Sequence, residues 1–178
     1  MIILGVDPGT LRTGYGIISV AQGNTLPIAY GIINLTKLNN LPEKLQKIYS
    51  ELTSLITKYK PQEFSIETAF YGKNVQSAMK IGYARGVSIL AAVNKDVMIS
   101  EYSPREVKKS VVGTGAASKE QVNYMVKSIL DLTSSKIKLD ESDALAVALC
   151  HSFRVKGISK KSVSWKSFIE KFPERVIQ

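Results

Sequence analysis

The sequence predicts an α/β fold in which a mixed five-stranded sheet is flanked by helices. Short apolar runs typical of strands alternate along the chain with longer segments whose apolar residues recur at helical spacing. The first three runs follow one another closely, as in antiparallel neighbours. The later runs are separated by helical segments, as in parallel strands joined by crossovers. We therefore expect one domain over residues 1–153 with the element order β-β-β-α-β-α-β-α-α-α.

The strands are predicted from apolar runs and from the turn residues that bound them. The first run is apolar up to its last residue, Asp7, which is typical of a strand buried on both faces. The second and third runs flank a Gln22-Gly23-Asn24 turn and predict a hairpin. The five predicted strands cover residues 2–7, 15–20, 28–35, 64–67 and 97–101.

The helices are predicted from amphipathic spacing and from capping sequences. A stripe of leucine and isoleucine ends before Pro61, which breaks the first helix, and a segment rich in small residues predicts the second. Two capping boxes and an acidic N-cap then mark three further helix starts. The predicted helices cover 41–60, 74–94 and three segments that begin at the N-cap residues Ser103, Ser118 and Asp140, the last running to about 153.

The composition excludes several classes of protein. Of 178 residues, 44% are hydrophobic and 22% are charged, which is typical of a globular domain and not of a disordered or collagen-like chain. The single cysteine, Cys150, excludes an internal disulfide and a cysteine-rich zinc site, so we expect a reducing compartment, the cytoplasm. No apolar run is long enough to span a membrane, and the N-terminus lacks the pattern of a signal peptide.

The charge favours a polyanionic partner. The chain has 24 Lys and Arg residues against 15 Asp and Glu, a net charge of +9. This balance points first to nucleic acid and second to an acidic membrane surface. The tail 154–178 contributes seven basic residues against two acidic ones, and its apolar residues are spaced as one helix face. We expect a short amphipathic helix there, either docked on the domain or serving as an arm that binds the substrate or a partner.

Four carboxylates are expected to converge at one edge of the sheet. Asp7 ends the first strand and Glu67 ends the fourth, and parallel strands present their carboxyl ends at the same edge. Asp140 and Asp143 are spaced i, i+3 at the start of an apolar helix, so they share a face near the sheet. Simpler explanations exist for single members, since Asp7 precedes a Pro-Gly turn and Asp140 is a helix cap.

Such a cluster needs cations, because crowded carboxylates repel one another. Oxygen ligands without a His or Cys cluster nearby select Mg²⁺ or Mn²⁺ over zinc. Two such ions about 3.5–4 Å apart can activate a water and stabilise the leaving oxygen in phosphodiester hydrolysis. In a basic protein this centre predicts a nuclease. We interpret His151 as a histidine of the core or of a helix surface.

Several motifs resemble those of the RuvC-type Holliday junction resolvases. The second motif is the most specific of them, and the matches occur in order over about residues 1–153. One departure concerns the opening loop, where Arg12 stands one place later than the arginine of most members. The matching segments are 5–10 (GVDPGT) with 13–16 (TGYG), 66–74 (IETAFYGKN) with 84–87 (ARGV), 111–115 (VVGTG) with Lys119, and 140–146 (DESDALA).

The resemblance implies an RNase H-like fold and a structure-selective endonuclease that makes paired symmetrical nicks in four-way DNA junctions, in homologous recombination and DNA repair. It implies a homodimer, whose two-fold axis suits the approximate symmetry of a junction, and a branch-migration motor complex as a partner. Water is the implied nucleophile, and the products carry a 5′-phosphate and a 3′-hydroxyl. The implied catalytic and metal-binding residues are Asp7, Glu67, Asp140 and Asp143, with Mg²⁺ or Mn²⁺ and two ions per site.

DNA contacts are expected around this centre. Phe70 and Tyr71 follow Glu67 in a loop and are either buried or exposed to stack on unpaired bases. A lysine near the scissile phosphate would stabilise charge there, although helix lysines are also commonly only solvated. The expected DNA-binding residues are Phe70, Tyr71, Lys73, Asn74, Arg85, Lys108, Lys109 and Lys119.

Other functions stay open from the sequence. Asp7-Pro8-Gly9-Thr10 before a hairpin is also typical of the first phosphate loop of actin-like sugar kinases and ATPases, although those proteins need two such domains. A junction-binding protein without cleavage would gain only repulsion from four carboxylates beside phosphates. A related nuclease of the same superfamily would act on RNA or on flaps.

Overall fold

The computed structural model describes residues 1–21, 24–68, 75–133 and 136–157, which form five strands and five helices. The order along the chain agrees with the predicted one. The strands are β1 (Ile2–Asp7), β2 (Arg12–Ala21), β3 (Asn24–Asn34), β4 (Glu63–Glu67) and β5 (Met98–Tyr102). The helices are α1 (Leu41–Tyr59), α2 (Val75–Val93), α3 (Pro104–Val112), α4 (Lys119–Ile129) and α5 (Leu139–Gly157).

The sheet is mixed and has the strand order β3-β2-β1-β4-β5. Strands β1, β2 and β3 pair antiparallel, whereas β1 with β4 and β4 with β5 pair parallel. Val6 lies opposite Ile66, so the residues that follow them, Asp7 and Glu67, end neighbouring strands at the same edge of the sheet. The predicted mixed five-stranded α/β sheet is confirmed.

Helices cover both faces of the sheet. Because successive side chains of a strand point to opposite faces, Leu4 and Val6 of β1 pack with α1 and α2, while Ile3 packs with α3, α4 and α5. Helix α5 is buried along residues 144–150 and crosses the sheet against β1 and β2. By the same alternation Asp7 lies on the α5 side. None of the helices in the described part of the chain is long and apolar enough to cross a membrane.

The capping boxes predicted for α3 and α4 are present. The side chain of Ser103 accepts from the backbone N–H of Glu106, whose carboxylate accepts from the backbone N–H of Ser103. Ser118 and Gln121 exchange the corresponding pair of hydrogen bonds at the start of α4. Each box satisfies two N–H groups that a helix start leaves without an intrahelical partner. The two helices therefore begin where the sequence predicts.

The predicted N-cap role of Asp140 is wrong. Helix α5 begins at Leu139, and the cap position belongs to Lys138, whose backbone N–H donates to the Glu141 carboxylate at 2.8 Å and whose carbonyl accepts from the N–H of Ser142. Glu141 thus takes over the capping contact, and Asp140 lies inside the first turn. Its carboxylate is consequently available for contacts outside the helix.

The observed bounds of two strands and of the last helix also differ from the predicted ones. Strands β2 and β3 are several residues longer than predicted, because the hairpin ladder continues through partly exposed residues that break the apolar pattern. Helix α5 continues to Gly157, past the predicted domain end at 153. Of the predicted Gln22-Gly23-Asn24 turn, the first two residues lie outside the described residues, as do 158–178 of the predicted tail.

The packing of α5 on β1 depends on Gly5. A Cβ atom at Gly5 would lie 2.7 Å from the backbone nitrogen of Ala148 and 2.8 Å from its Cβ. We expect Gly5→Ala to lower the free energy of unfolding in urea by about 1–3 kcal/mol, because the added methyl group forces the helix off the strand. The control is Ser54→Ala on the exposed face of α1, expected to change it by less than about 0.5 kcal/mol. Equal effects of the two changes would contradict this account.

Candidate active site

The strand ends that carry Asp7 and Glu67 are fixed by the backbone around them. The N–H of Thr68 donates to the carbonyl of Tyr102 at 2.8 Å, which continues the β4–β5 ladder one residue past Glu67. After Asp7 the chain turns, and the buried hydroxyl of Thr13 donates to the carbonyl of Gly9 at 2.8 Å. Hydrogen bonds therefore fix the backbone next to both carboxylates.

Helix α5 brings its acidic first turn onto this edge because β2 has a glycine there. Gly14 is the residue that pairs with Asp7 across β1 and β2. A Cβ atom at Gly14 would lie 2.9 Å from the backbone carbonyl carbon of Asp140. Only a residue without a side chain lets the helix come this close, so Gly14 sets the distance between the strand acids and the helix acids.

The convergence of the acids forms a cavity of about 210 Å³. Three acidic residues line it, Asp7, Glu67 and Asp143, together with Lys108 and Lys119. Pro104, Val107, Val122 and Ala146 are the other described residues of the wall. Asp140 lines an adjacent cavity of about 430 Å³. The structure therefore gathers three of the four predicted acids around one space and places the fourth beside it.

Burial and mutual repulsion raise the pKa of both strand-end carboxyl groups. The pKa of Asp7 rises to about 7, chiefly through burial, then through the charge of Asp143, with a smaller effect of Asp140. The pKa of Glu67 rises to about 8, again chiefly through burial and then through the charges of Asp7 and Asp143. Carboxyl groups with such raised pKa values are typical of functional sites, because their charged form needs a cation to be stable.

Basic side chains compensate part of this charge. The Nζ atom of Lys119 donates to Oδ2 of Asp143 at 2.8 Å, and this hydrogen bond raises the pKa of Lys119. Lys119 also lowers the pKa of Asp7, as it and Lys108 do for Glu67. Lys119 is the first residue of α4, so the predicted capping box at Ser118 is what delivers it to the site.

Arg12 makes a contact that the sequence did not reveal. Its guanidinium lies 3.6 Å from Oδ2 of Asp140, with the arginine side chain 58% exposed and the carboxylate 31% exposed. The contact joins the first residue of β2 to the first turn of α5. The departure of Arg12 from the usual position in the opening motif singled this residue out in the sequence. Only the geometry of the hairpin shows that its side chain points toward Asp140.

The donor set suits a hard divalent cation. Partly buried carboxylate oxygens, with no His or Cys among the described lining residues, are the ligands that Mg²⁺ and Mn²⁺ prefer. Within the described ranges, no group of three or more acidic, His or Cys side chains has its donor atoms arranged as a complete metal site. Asp143 and Asp140 instead turn toward Lys119 and Arg12. The chemistry of the residues fits such an ion, and the two helix carboxylates would have to leave these partners to bind it.

The other predicted DNA-binding residues lie in different surroundings. Lys109 is exposed on α3 and is not among the residues that line the cavity. Arg85 of α2 forms an ion pair with Glu101 of β5. The loop residues Phe70, Tyr71, Lys73 and Asn74 lie outside the described residues. Of the predicted DNA-binding residues that the structure describes, Lys108 and Lys119 are the two that line the cavity with the acids.

His151 belongs to the core. It is 3% exposed, and its Nδ1 atom lies 2.8 Å from the hydroxyl oxygen of Tyr102. Its Nε2 atom lies 3.5 Å from a carboxylate oxygen of Glu63, at the opposite end of β4 from Glu67. Burial lowers the pKa of His151. The histidine thus fastens α5 to β4 and β5 away from the acid cavity.

A mixed sheet in this order, with acids at the ends of its two central parallel strands and on the helix that crosses them, defines a nuclease of the RNase H-like fold. The chain matches the family model described as Crossover junction endodeoxyribonuclease RuvC over residues 3–151. The predicted fold and family resemblance are both confirmed, and the chain belongs to the RuvC family.

Relatives and solved structures agree with this assignment. A protein of the same name from Chloroherpeton thalassium is 47% identical over 186 residues, with 100% of both chains covered. Another, from Proteus mirabilis, is 48% identical over 150 residues, which cover 84% of this chain and 86% of the relative. The structure of Thermus thermophilus RuvC in complex with a Holliday junction substrate is 28% identical, has a TM-score of 0.82, and is matched over 90% of this chain and 98% of that one.

The raised pKa values predict how stability depends on pH. In buffer without divalent ions, the folded protein keeps protons on Asp7 and Glu67 that the unfolded chain has lost above their ordinary values of 3.8 and 4.5. The stability they contribute must therefore fall as pH rises from about 4 toward about 8. Relative to the double variant Asp7→Asn/Glu67→Gln, the wild-type thermal midpoint should drop by several degrees between pH 5 and pH 8, since about 1 kcal/mol moves it by about 2–4 °C.

The double variant is the matched control, because it keeps the size of both side chains and removes their titration. Groups that do not interact with these two carboxyl groups, including His151, titrate alike in the two proteins and cancel in the difference. A difference in midpoint that stays constant over this pH range would contradict the raised pKa values.

Proposed function

We propose that the chain resolves four-way DNA junctions by metal-dependent hydrolysis of phosphodiester bonds, as paired symmetrical nicks in homologous recombination and DNA repair. The observation that carries the proposal is the cavity in which Asp7, Glu67 and Asp143 meet Lys108 and Lys119, in a chain of the RuvC family. Carboxylates that need a cation and lysines that favour a phosphate are brought together there. The net charge of +9 supports a polyanionic substrate.

We propose Mg²⁺, or Mn²⁺ in its place, as the cofactor, with two ions held by Asp7, Glu67, Asp140 and Asp143. When bound, such ions supply a water activated for attack and stabilise the leaving oxygen. The raised pKa values of Asp7 and Glu67 support the assignment, because ionisation of these groups is costly until a cation compensates it. Binding of the cation to these residues must then release protons near neutral pH.

The remaining residues of the cavity position the substrate. Lys119 holds Asp143 through a charge-assisted hydrogen bond, and together with Lys108 it provides positive charge for the scissile phosphate. Among the described residues that line this cavity there is no Ser, Thr, Tyr or Cys, which supports water as the nucleophile. We propose products with a 5′-phosphate and a 3′-hydroxyl.

We further propose that the chain acts as a homodimer that packs through α2. Five apolar residues of this helix are spaced three, four or seven residues apart, so they lie on one face of the helix. Each of them is about half exposed or more. Gly82 and Gly86 lie within the stripe, and a Cβ atom at either would have no described atom within 4 Å, so a second helix can approach closely. A contiguous apolar stripe of this kind is typical of an interface. Its residues are Val75, Met79, Tyr83, Leu90 and Val93.

Two further expectations concern the partner and the cellular location of the protein. Association with a branch-migration motor complex stays a prediction that rests on the family resemblance. A cytoplasmic location rests on the single cysteine, and Cys150 is a buried free thiol. The alternatives of an actin-like ATPase and of a non-cleaving binding protein are not favoured, given the family to which the chain belongs.

The first test removes the metal-binding charge of Asp7. Asp7→Asn should lower the rate of junction nicking in Mg²⁺ by at least about 100-fold, the usual order for loss of one charge-stabilising group. Binding of the same junction should persist, since the variant lacks only a negative charge. Nicking is measured on a labelled four-way junction in denaturing gels, with a linear duplex of the same sequence as the substrate control.

The matched protein control is Asp96→Asn. This residue is exposed beyond the end of α2, has a positive φ of 53° that asparagine also tolerates, and carries the same charge. Near wild-type nicking by Asp96→Asn is expected. Retained nicking by Asp7→Asn would reject the site, and equal cleavage of junction and linear duplex would reject the junction specificity.

The second test addresses the dimer. Leu90→Glu places a charge in the middle of the α2 stripe and should shift the protein from dimer to monomer in sedimentation velocity, because a buried unpaired charge is costly at an interface. Tyr124→Glu on α4 is the control, since Tyr124 is 69% exposed but lies off the stripe. A wild-type protein that sediments as a monomer, or a Leu90→Glu variant that stays dimeric, would exclude this interface.

A further inference from the structure

A groove adjoins the acid cavity on the side of α1 and α2. It consists of two neighbouring cavities of about 430 and 360 Å³, which share the wall residues Thr10, Leu11 and Ile81. The first begins at Asp140, and the second ends at Lys44 near the start of α1. We call this the basic groove. It runs from the edge of the active site, past the β1–β2 loop, to the gap between two helices.

The charge of the basic groove is positive. Arg12, Lys44 and Lys80 line it, and the carboxylate among its wall residues, Asp140, is already contacted by Arg12. In the described part of the chain neither Lys44 nor Lys80 forms an ion pair. Concave surfaces lined by one sign of charge concentrate the field and favour ligands of opposite charge. The groove therefore suits an anion.

The size and walls of the groove suit a single nucleic-acid strand. Each of the two cavities has room for about one nucleotide, since sites of about 300–1,000 Å³ take ligands of drug size. Thr10 and Asn39 offer polar groups to phosphate oxygens. Leu11 stands 62% exposed on the wall between the two cavities, where it offers an apolar contact for a sugar or an unpaired base.

The position of the basic groove beside the acid cavity indicates which strand it would hold. Asp140 lines the groove, yet its charge acts on Asp7 in the acid cavity, so the two spaces are electrostatic neighbours. A strand with its scissile phosphate at the acids must leave the cavity along some adjoining surface. The basic groove adjoins it, is concave and is positively charged.

We propose that the basic groove holds the backbone of the cut strand, unpaired, as it leaves the active site, with Lys44 and Lys80 contacting its phosphates. The inference rests on the proposed nuclease function and adds to it a path for the cut strand. Arg12 then has two neighbours, the Asp140 carboxylate and the strand, which gives a reason for its place one residue later in the opening loop.

The test measures junction binding in an Asp7→Asn background, so that nicking does not interfere. The groove variant adds Lys44→Gln and Lys80→Gln. Its matched control adds Lys47→Gln and Lys95→Gln, which remove the same charge from residues that do not line the groove. We expect the groove variant to bind a four-way junction about tenfold more weakly than its background. The slope of log K against log salt should fall by about 1.4–1.8, as for two lost phosphate contacts.

The control should stay within about twofold of the background, since its lysines act only through a screened field. Equal losses for the two variants would overturn the proposal. So would a groove variant that loses as much affinity for linear duplex as for the junction, because the groove would then hold a duplex arm.

A second measurement places the contact on the cut strand. Single phosphates on either side of the cut are replaced by uncharged methylphosphonates, and each junction is bound to the background protein and to the groove variant. At one or two positions the replacement should weaken the background protein but leave the groove variant unchanged, since the lysines that would detect the loss are absent. Additive losses at every position would overturn the proposal. Failure of the nuclease function itself is recognised separately, as a wild-type protein that does not nick the four-way junction in Mg²⁺.

Discussion

The structure depends on holding like charges together at the end of two neighbouring parallel strands. Asp7 and Glu67 are adjacent because β1 and β4 pair in parallel, and both are partly buried, so burial alone raises their pKa values before repulsion adds to it. Such an arrangement is unfavourable unless the rest of the fold supports it. The sheet, the crossing helix and the flanking lysines can each be understood as part of that support.

The crossing helix provides most of it. Helix α5 is buried over 144–150 and lies so close to the sheet that Gly5 and Gly14 have no room for side chains. Its C-terminal half is fastened by His151 and Tyr102 and by the ion pair of Arg154 with Glu106, whose pKa falls to about 2 chiefly through its hydrogen bonds to Ser103. These contacts lie far along the helix from the acids, so the helix is fixed at one end and presents charge at the other.

The cationic side chains surround the acids on two sides. Lys108 and Lys119 reach the cavity from α3 and α4, while Arg12 contacts Asp140 from the opposite side and begins the basic groove. A junction nuclease needs positive charge beside its carboxylates, because the carboxylates repel phosphates and only nearby positive charge can bring a strand to them. Lys108, Lys119 and Arg12 therefore compensate the charge of the acids, and Arg12 also belongs to the proposed strand path.

The sequence by itself determined the elements and the mixed sheet, and it predicted the acids that the fold brings to one edge. Apolar period, capping boxes and motif spacing are local properties, so α3 and α4 begin at the predicted caps and Asp7 and Glu67 end the predicted strands. Tertiary structure alone decided which acids share a cavity, since Asp140 turned to Arg12 while Asp143 turned to Lys119. It also decided that Arg85 pairs with Glu101. Such pairings depend on distances between segments far apart in the chain, which no local pattern records.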